Sequence, residues 1–87
     1  MAVVWIPSLM RDLTGGRAQV SAPGRTVGQV IAALDEVHPG IKDRLCEGNR
    51  LDPAVTVSVD GRIARLGLLE PVEEQSEILF LPAVAGG

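Results

Sequence analysis

The sequence is nearly without aromatic residues. Trp5 and Phe80 are the whole set and tyrosine is absent, so the stacking platforms that single-stranded nucleic acids use are missing. Basic residues are also in short supply. Eight Lys and Arg stand against eleven Asp and Glu, for a net charge of −3. No basic cluster interrupts that balance, which excludes the electrostatic footprint of nucleic-acid or anionic-membrane binding. A single cysteine forms no internal disulfide, and one Cys with one His cannot complete a structural zinc site. Nor can one cysteine hold an iron–sulfur cluster. The longest apolar runs are a few residues, against the roughly 20 that a membrane span needs. The start "MAVVWIPSLM" has neither the charged opening nor the apolar length of a signal peptide. These absences predict a cytoplasmic chain with no nucleic-acid or membrane partner.

What is present is aliphatic. Hydrophobic residues make up 46% of 87 positions, mostly Val, Leu, Ala and Ile, enough for one small domain to bury a core without staples. "AVVWI" (2–6) is β-branched and apolar on both faces, which suits a central strand ended by Pro7. "SLMRDLTGG" (8–16) reads as a loop with Gly15-Gly16 at its tip. "RAQVS" (17–21) alternates, with Ala18 and Val20 on one face and Arg17, Gln19 and Ser21 on the other, as in a half-buried strand. Val27, Val30, Ile31, Leu34 and Val37 recur at helical spacing, and Thr26 with Gln29 fits a T-x-x-Q capping box. His38-Pro39-Gly40 ends that helix. One short helical turn fits within 41–48. "AVTVSV" (54–59) alternates, with Val55, Val57 and Val59 on one face. Asp60-Gly61 is a hairpin turn signal, and "RIARL" (62–66) returns as a strand. After an acidic loop, "EILFL" (77–81) is a last strand, with Ile78 and Phe80 on one face and Leu79 and Leu81 on the other. The order β-β-α-β-β-β predicts an α+β fold, a mixed sheet with one main helix packed across it. The last strand, apolar on both faces, belongs near the middle and beside the first.

Conventional catalytic sites are scarce. His38 sits at a helix end, where an imidazole serves as a cap more often than as a base. Cys46 reads as a small buried hydrophobe. Glu70, Glu73, Glu74 and Glu77 form either a solvated loop or a docking surface for a basic partner. Gly15-Gly16 is not a phosphate loop, since no lysine follows and no helix begins there. Ser8 and Ser21 have no general base near them in sequence. There remains "LPAVAGG" (81–87). Its last residues are small and uncharged, and five extended residues reach roughly 15–18 Å. Glycines without Cβ pass through a channel too narrow for side chains. The segment is either a fraying terminus or a device that delivers the Gly87 carboxylate into another protein. On this reading residues 1–82 are the domain and 83–87 a flexible tail.

The element order, the length and "LPAVAGG" after "EILFL" resemble the ubiquitin-like β-grasp sulfur-carrier family. That family includes the small subunit of molybdopterin synthase, the thiamine sulfur carrier and a carrier of cysteine biosynthesis. "IPSLMRDLTGG" (6–16), "TVGQVIAAL" (26–34) and the tail are most similar to the cysteine-biosynthesis type. Molybdopterin-type tails tend to carry two adjacent prolines, whereas Pro82 is followed here by Ala83. Thiamine-type carriers are usually shorter and lack the long first loop.

The resemblance implies a β-grasp fold and a protein cosubstrate, not an enzyme. An ATP-dependent, ubiquitin-activating-like adenylyltransferase/sulfurtransferase would adenylate Gly87, and sulfur would displace AMP to leave a C-terminal thiocarboxylate. In the cysteine route this attacks an aminoacrylate held on pyridoxal phosphate (PLP) in a partner cysteine synthase. A metal-dependent peptidase then releases the product. ATP, PLP and zinc would belong to those partners, with no cofactor or metal bound by this chain. Leu79, Leu81, Pro82, Ala83, Val84, Ala85 and Gly86 are the expected partner contacts, although Leu79 could equally lie in the core. The alternatives are a molybdopterin synthase small subunit, a ubiquitin-like modifier joined through Gly87 to lysines, and a plain β-grasp binding module.

Overall fold

Strand alternation and one apolar helix stripe assemble the core from opposite sides. In the computed structural model the described residues are 1–82, with side chains through Leu81. The strands are β1 (Ala2–Trp5), β2 (Gln19–Ala22), β3 (Cys46–Glu47), β4 (Arg50–Leu51), β5 (Val55–Val59), β6 (Arg62–Ile63) and β7 (Glu77–Pro82). Two α-helices, α1 (Val27–Val37) and α2 (Ile41–Leu45), lie between β2 and β3. The main sheet runs β2-β1-β7-β5-β6, and β3-β4 form a separate ribbon. β1 and β7 are parallel while the other pairs are antiparallel, which is the mixed sheet expected, with β7 in the middle.

Register explains the core. Val20, Val4, Ile78 and Val59 stand in one row across four strands, and Val57 faces Phe80 in the next. All six are buried, together with Val27, Val30, Ile31 and Leu34 of α1. The Asp60-Gly61 turn forms as its sequence demands, with φ of 51° and 83°. The helix start departs slightly from a capping box. Thr26 Oγ1 accepts the Gln29 N–H at 3.2 Å, but Gln29 Oε1 accepts the N–H of Arg25, not that of Thr26.

Several expectations change. Ser8–Thr14 is a 3-10 helix, not a loop. The second strand begins and ends later than 17–21, at Gln19–Ala22, and the 62–66 strand shrinks to two residues. Val37 is 72% exposed. The core position beyond Leu34 is filled instead by Ile41 and Leu45 from α2, both fully buried. The segment 41–48 holds α2 and then the β3-β4 ribbon, a hairpin around Gly48-Asn49 that was not expected. Among the described residues no helix is long and apolar enough to cross a membrane.

Candidate functional site

The site begins with the position of β7. Because β7 runs parallel to β1, the C-terminal ends of both strands emerge at the same edge of the sheet. β1 pairs β7 from Glu77 to Leu79, and β5 pairs it from Ile78 to Pro82. Whatever follows Pro82 therefore leaves from the middle strand of the sheet, at a point still paired with β5. The predicted contact residues Ala83, Val84, Ala85 and Gly86, and the predicted terminus Gly87, lie outside the described residues.

Leu79 and Leu81 are on the sheet face opposite α1. Leu79 stands beside Trp5 on one side and Ser58 on the other, and Ser58 in turn faces Ile63. Leu81 faces Thr56. Leu79 is half-buried there, away from the helix-side core, while Leu81 is 41% and Trp5 39% exposed. The Trp5 indole N–H donates to Glu77 Oε1 at 3.0 Å, which fixes the ring on this face. Sequence reasoning singled out Leu79 and Leu81 but not Trp5, Thr56 or Ile63. The missed signal was the outward phase of "AVVW", whose last residue is a large apolar side chain in a strand that carries no helix on that face.

Around the end of β7 lies an apolar groove of about 360 Å³, walled by residues 7–10, Leu45, Ala54, Val55, Phe80 and Leu81. Among the described residues Arg44 is the single charged one in its wall. Its Nη1 donates to the Leu9 carbonyl at 3.1 Å, and its Nη2 is 3.6 Å from Asp12 Oδ2. That exposed ion pair contributes little by itself. The backbone contact ties the 3-10 helix to α2. Arg11 Nε, which donates to the Ile6 carbonyl, ties the same helix to the end of β1. Leu9 projects beside the groove almost wholly exposed. A receiver that approaches Leu81 therefore meets an aliphatic rim and one guanidinium.

The other candidates resolve into local roles. His38 closes α1 through its backbone N–H, which donates to the Leu34 carbonyl at 2.7 Å. Cys46 is half-buried; desolvation pushes its thiol up, Lys42 partly opposes this and Asp35 reinforces it. A thiol so placed forms less of the reactive thiolate. The acidic run is divided among separate partners. Glu70 Oε1 accepts the Leu66 N–H, Glu74 pairs with the N-terminal ammonium of Met1, and Glu77 holds Trp5. Gly15 and Gly16 take left-handed conformations at the end of the 3-10 helix. Among the described residues no group of three or more His, Cys, Asp or Glu could hold a metal ion.

Residues 4–87 match the ThiS family. The chain belongs to that family. The ThiS-family chain is 37% identical to the sulfur carrier protein CysO of Mycobacterium tuberculosis and of Mycobacterium bovis, over 97% of its own length and 96% of theirs. CysO in the crystal structure of the Amycolatopsis orientalis BexX/CysO complex superposes with a TM-score of 0.92 at 37% identity, each chain covered in full. The Mycobacterium tuberculosis CysO crystal structure gives 0.90 at 34% identity, over 97% of this chain and all of that one. Small archaeal modifier protein 1 of Haloferax volcanii gives 0.72 at 26% identity, over 99% and 98%. The fold of this ThiS-family chain is thus the ubiquitin-like β-grasp, and the chain is a homologue of sulfur carriers.

Proposed function

We propose that the chain carries sulfur on Gly87 as a thiocarboxylate and is itself a cosubstrate, not a catalyst. A free carboxylate is a poor electrophile. Adenylation by an activating enzyme expels pyrophosphate from ATP and gives an acyl-phosphate anhydride. A sulfur nucleophile then forms the C–S bond as AMP departs. The resulting thiocarboxylate is a soft nucleophile, and tethering raises its effective concentration at an acceptor site. The acceptor is a PLP-dependent cysteine synthase, and a metal-dependent peptidase frees the cysteine and regenerates the Gly87 carboxylate. The chain's own part is to present the tail and to dock. Leu79, Leu81 and Trp5 supply the apolar face, the groove beside Leu9 supplies the rim, and residues 82–86 supply reach.

The observation that supports this reading most is the agreement of two independent features. The family match runs through to Gly87, and the strand that leads into those residues is the central one of five, paired with β5 down to Pro82. The cysteine branch is favoured by the two CysO likenesses. Intact-mass measurement after incubation with the activating enzyme, ATP and a sulfur donor tests the chemistry. A gain of about 16 Da on the C-terminal glycine, oxygen replaced by sulfur, is expected. No gain with an enzyme shown to be competent on another carrier overturns the proposal. The likeness to an archaeal modifier favours a second reading, in which Gly87 is joined to lysines. Isopeptide-linked conjugates in place of the mass gain would support that reading instead.

A further inference from the structure

The groove at the end of β7 exists because two strand ladders stop at different places. β1 pairs with β7 only as far as Leu79, whereas β5 pairs with it down to Pro82. Pro7 has no N–H with which to extend the β1 ladder, and the chain turns there into the 3-10 helix. Residues 7–10 are thereby set off from Phe80 and Leu81. The aliphatic groove of about 360 Å³ lies where they part, with Leu45 and Val55 also in its wall.

The segment that starts at this wall is the chain's own. Val55, a wall residue, pairs with Pro82, and residues 83–87 follow directly. Ala83, Val84 and Ala85 are small and aliphatic, and Gly86 and Gly87 carry no side chain. On the carrier reading Gly87 is the terminus, and its carboxylate is the one charge in the segment. Among the described residues the groove wall also carries one charge, of the opposite sign, on Arg44. A guanidinium has five N–H donors. Among the described residues Arg44 makes one hydrogen bond, to the Leu9 carbonyl, and Asp12 Oδ2 at 3.6 Å lies beyond hydrogen-bond length. Donors therefore remain for a second oxyanion. One aliphatic stretch with one carboxylate is matched by one aliphatic groove with one guanidinium.

Length and tethering both favour this occupant. A compact groove of about 360 Å³ is about 9 Å across, and five residues reach roughly 15–18 Å, so the segment crosses it with length to spare. Its root is fixed at the wall, so its effective concentration there is in the millimolar range. A contact too weak to hold a separate peptide is then still populated. Such a contact adds little to the stability of the fold. It also yields readily to a partner that covers Leu81 and the 3-10 helix with a larger surface.

We infer that in the free chain this groove is the resting site of residues 83–87, with Val84 among its aliphatic side chains and the Gly87 carboxylate at Arg44. Its use rests on the carrier reading above: a receiver that docks on the rim displaces the segment, so the terminal group is released where a receiver is present. NMR of the labelled full-length chain, free in solution, is the test. Nuclear Overhauser contacts are expected from the Val84 methyls to Leu9, Met10 and Leu45. Val84→Asp is expected to remove them and to shift the same groove methyls, leaving those of Ile63 and Leu69 unmoved. Arg44→Gln is expected to shift the Gly87 amide and to keep the Val84 contacts. Val84 contacts confined to residues 81–86 overturn the resting site, and a Gly87 amide that does not respond to Arg44→Gln overturns the ion pair. Contacts seen only between labelled and unlabelled molecules assign the groove to a second copy and overturn the proposal. Groove methyls that respond only when the activating enzyme is added assign it to that partner and overturn it likewise. The sulfur mass gain is read separately. A chain that gains the mass without these contacts keeps the carrier reading and loses the resting site.

Discussion

At the scale of single residues, Asp60 shows how one side chain can join two distant segments. It occupies the left-handed first position of the β5-β6 turn. Its carboxylate accepts the Glu77 N–H at 2.9 Å and the Ser76 hydroxyl at 2.7 Å. The Asp60 carboxyl is held below its ordinary range, first by the Glu77 N–H, then by Ser76, with a smaller contribution from Arg62 against opposing desolvation. A carboxylate whose folded pKa is depressed stabilises the fold above the unfolded pKa. That stability is lost as pH falls through the folded value, because the unfolded chain takes up the proton first. Thermal melts between about pH 5 and pH 2 should therefore show a falling Tm, part of it due to Asp60. Asp60→Asn keeps the turn preference, as Asn-Gly favours the same geometry. It should lower Tm at neutral pH and flatten the acid slope. An identical slope in the two proteins would assign the acid sensitivity to other carboxylates.

At the scale of elements, legibility follows the length of the signal. α1 was readable because four of its five stripe residues repeat over two turns and because Thr26 marks its start. Val37 misled, since periodicity cannot tell that the stripe has run past the sheet and that α2 takes over the core. β5 with its Asp-Gly turn was readable for local reasons. The Ser8–Thr14 helix was not: Met10 and Thr14 are buried and Leu9 is exposed, so the inward face has helical spacing but carries a polar threonine and spans little more than one turn, while an exposed leucine blurs the pattern. Its shape depends on Arg11 and Arg44 bonding to carbonyls outside any local pattern. The β3-β4 ribbon did carry a cue, Gly48-Asn49 between short flanks, but two-residue strands give no alternation to read. The capping bond gives this scale its prediction. Thr26→Ala removes the acceptor for the Gln29 N–H and should cost about 1 kcal/mol in chemical denaturation. Thr26→Ser should restore most of that. A loss in Thr26→Ser equal to that in Thr26→Ala would place the effect in the lost methyl group.

For the whole molecule, Leu79 and Leu81 were legible only as one phase of the last strand. Four strands, β1, β7, β5 and β6, had to be brought together before Trp5 and Ile63 joined them. That arrangement separates what holds the fold from what the fold presents. A chain of this size has about 4–13 kcal/mol of stability in total. Ile78 is fully buried between β1 and β5, and Ile78→Ala should remove about 2–5 kcal/mol of it, since truncation both exposes less apolar area to burial and leaves a cavity. Deletion of Gly87 leaves every strand pair among the described residues in place, the last of them Val55 with Pro82. The deleted chain should melt within about 2 °C of the intact one and yet show no mass gain with the activating enzyme, ATP and sulfur donor. Ile78→Ala should show the reverse: a lower Tm, with the mass gain kept at temperatures where the chain is folded. If deleting Gly87 lowers Tm as Ile78→Ala does, the terminal segment is part of the folded unit, and the division between scaffold and presented group fails.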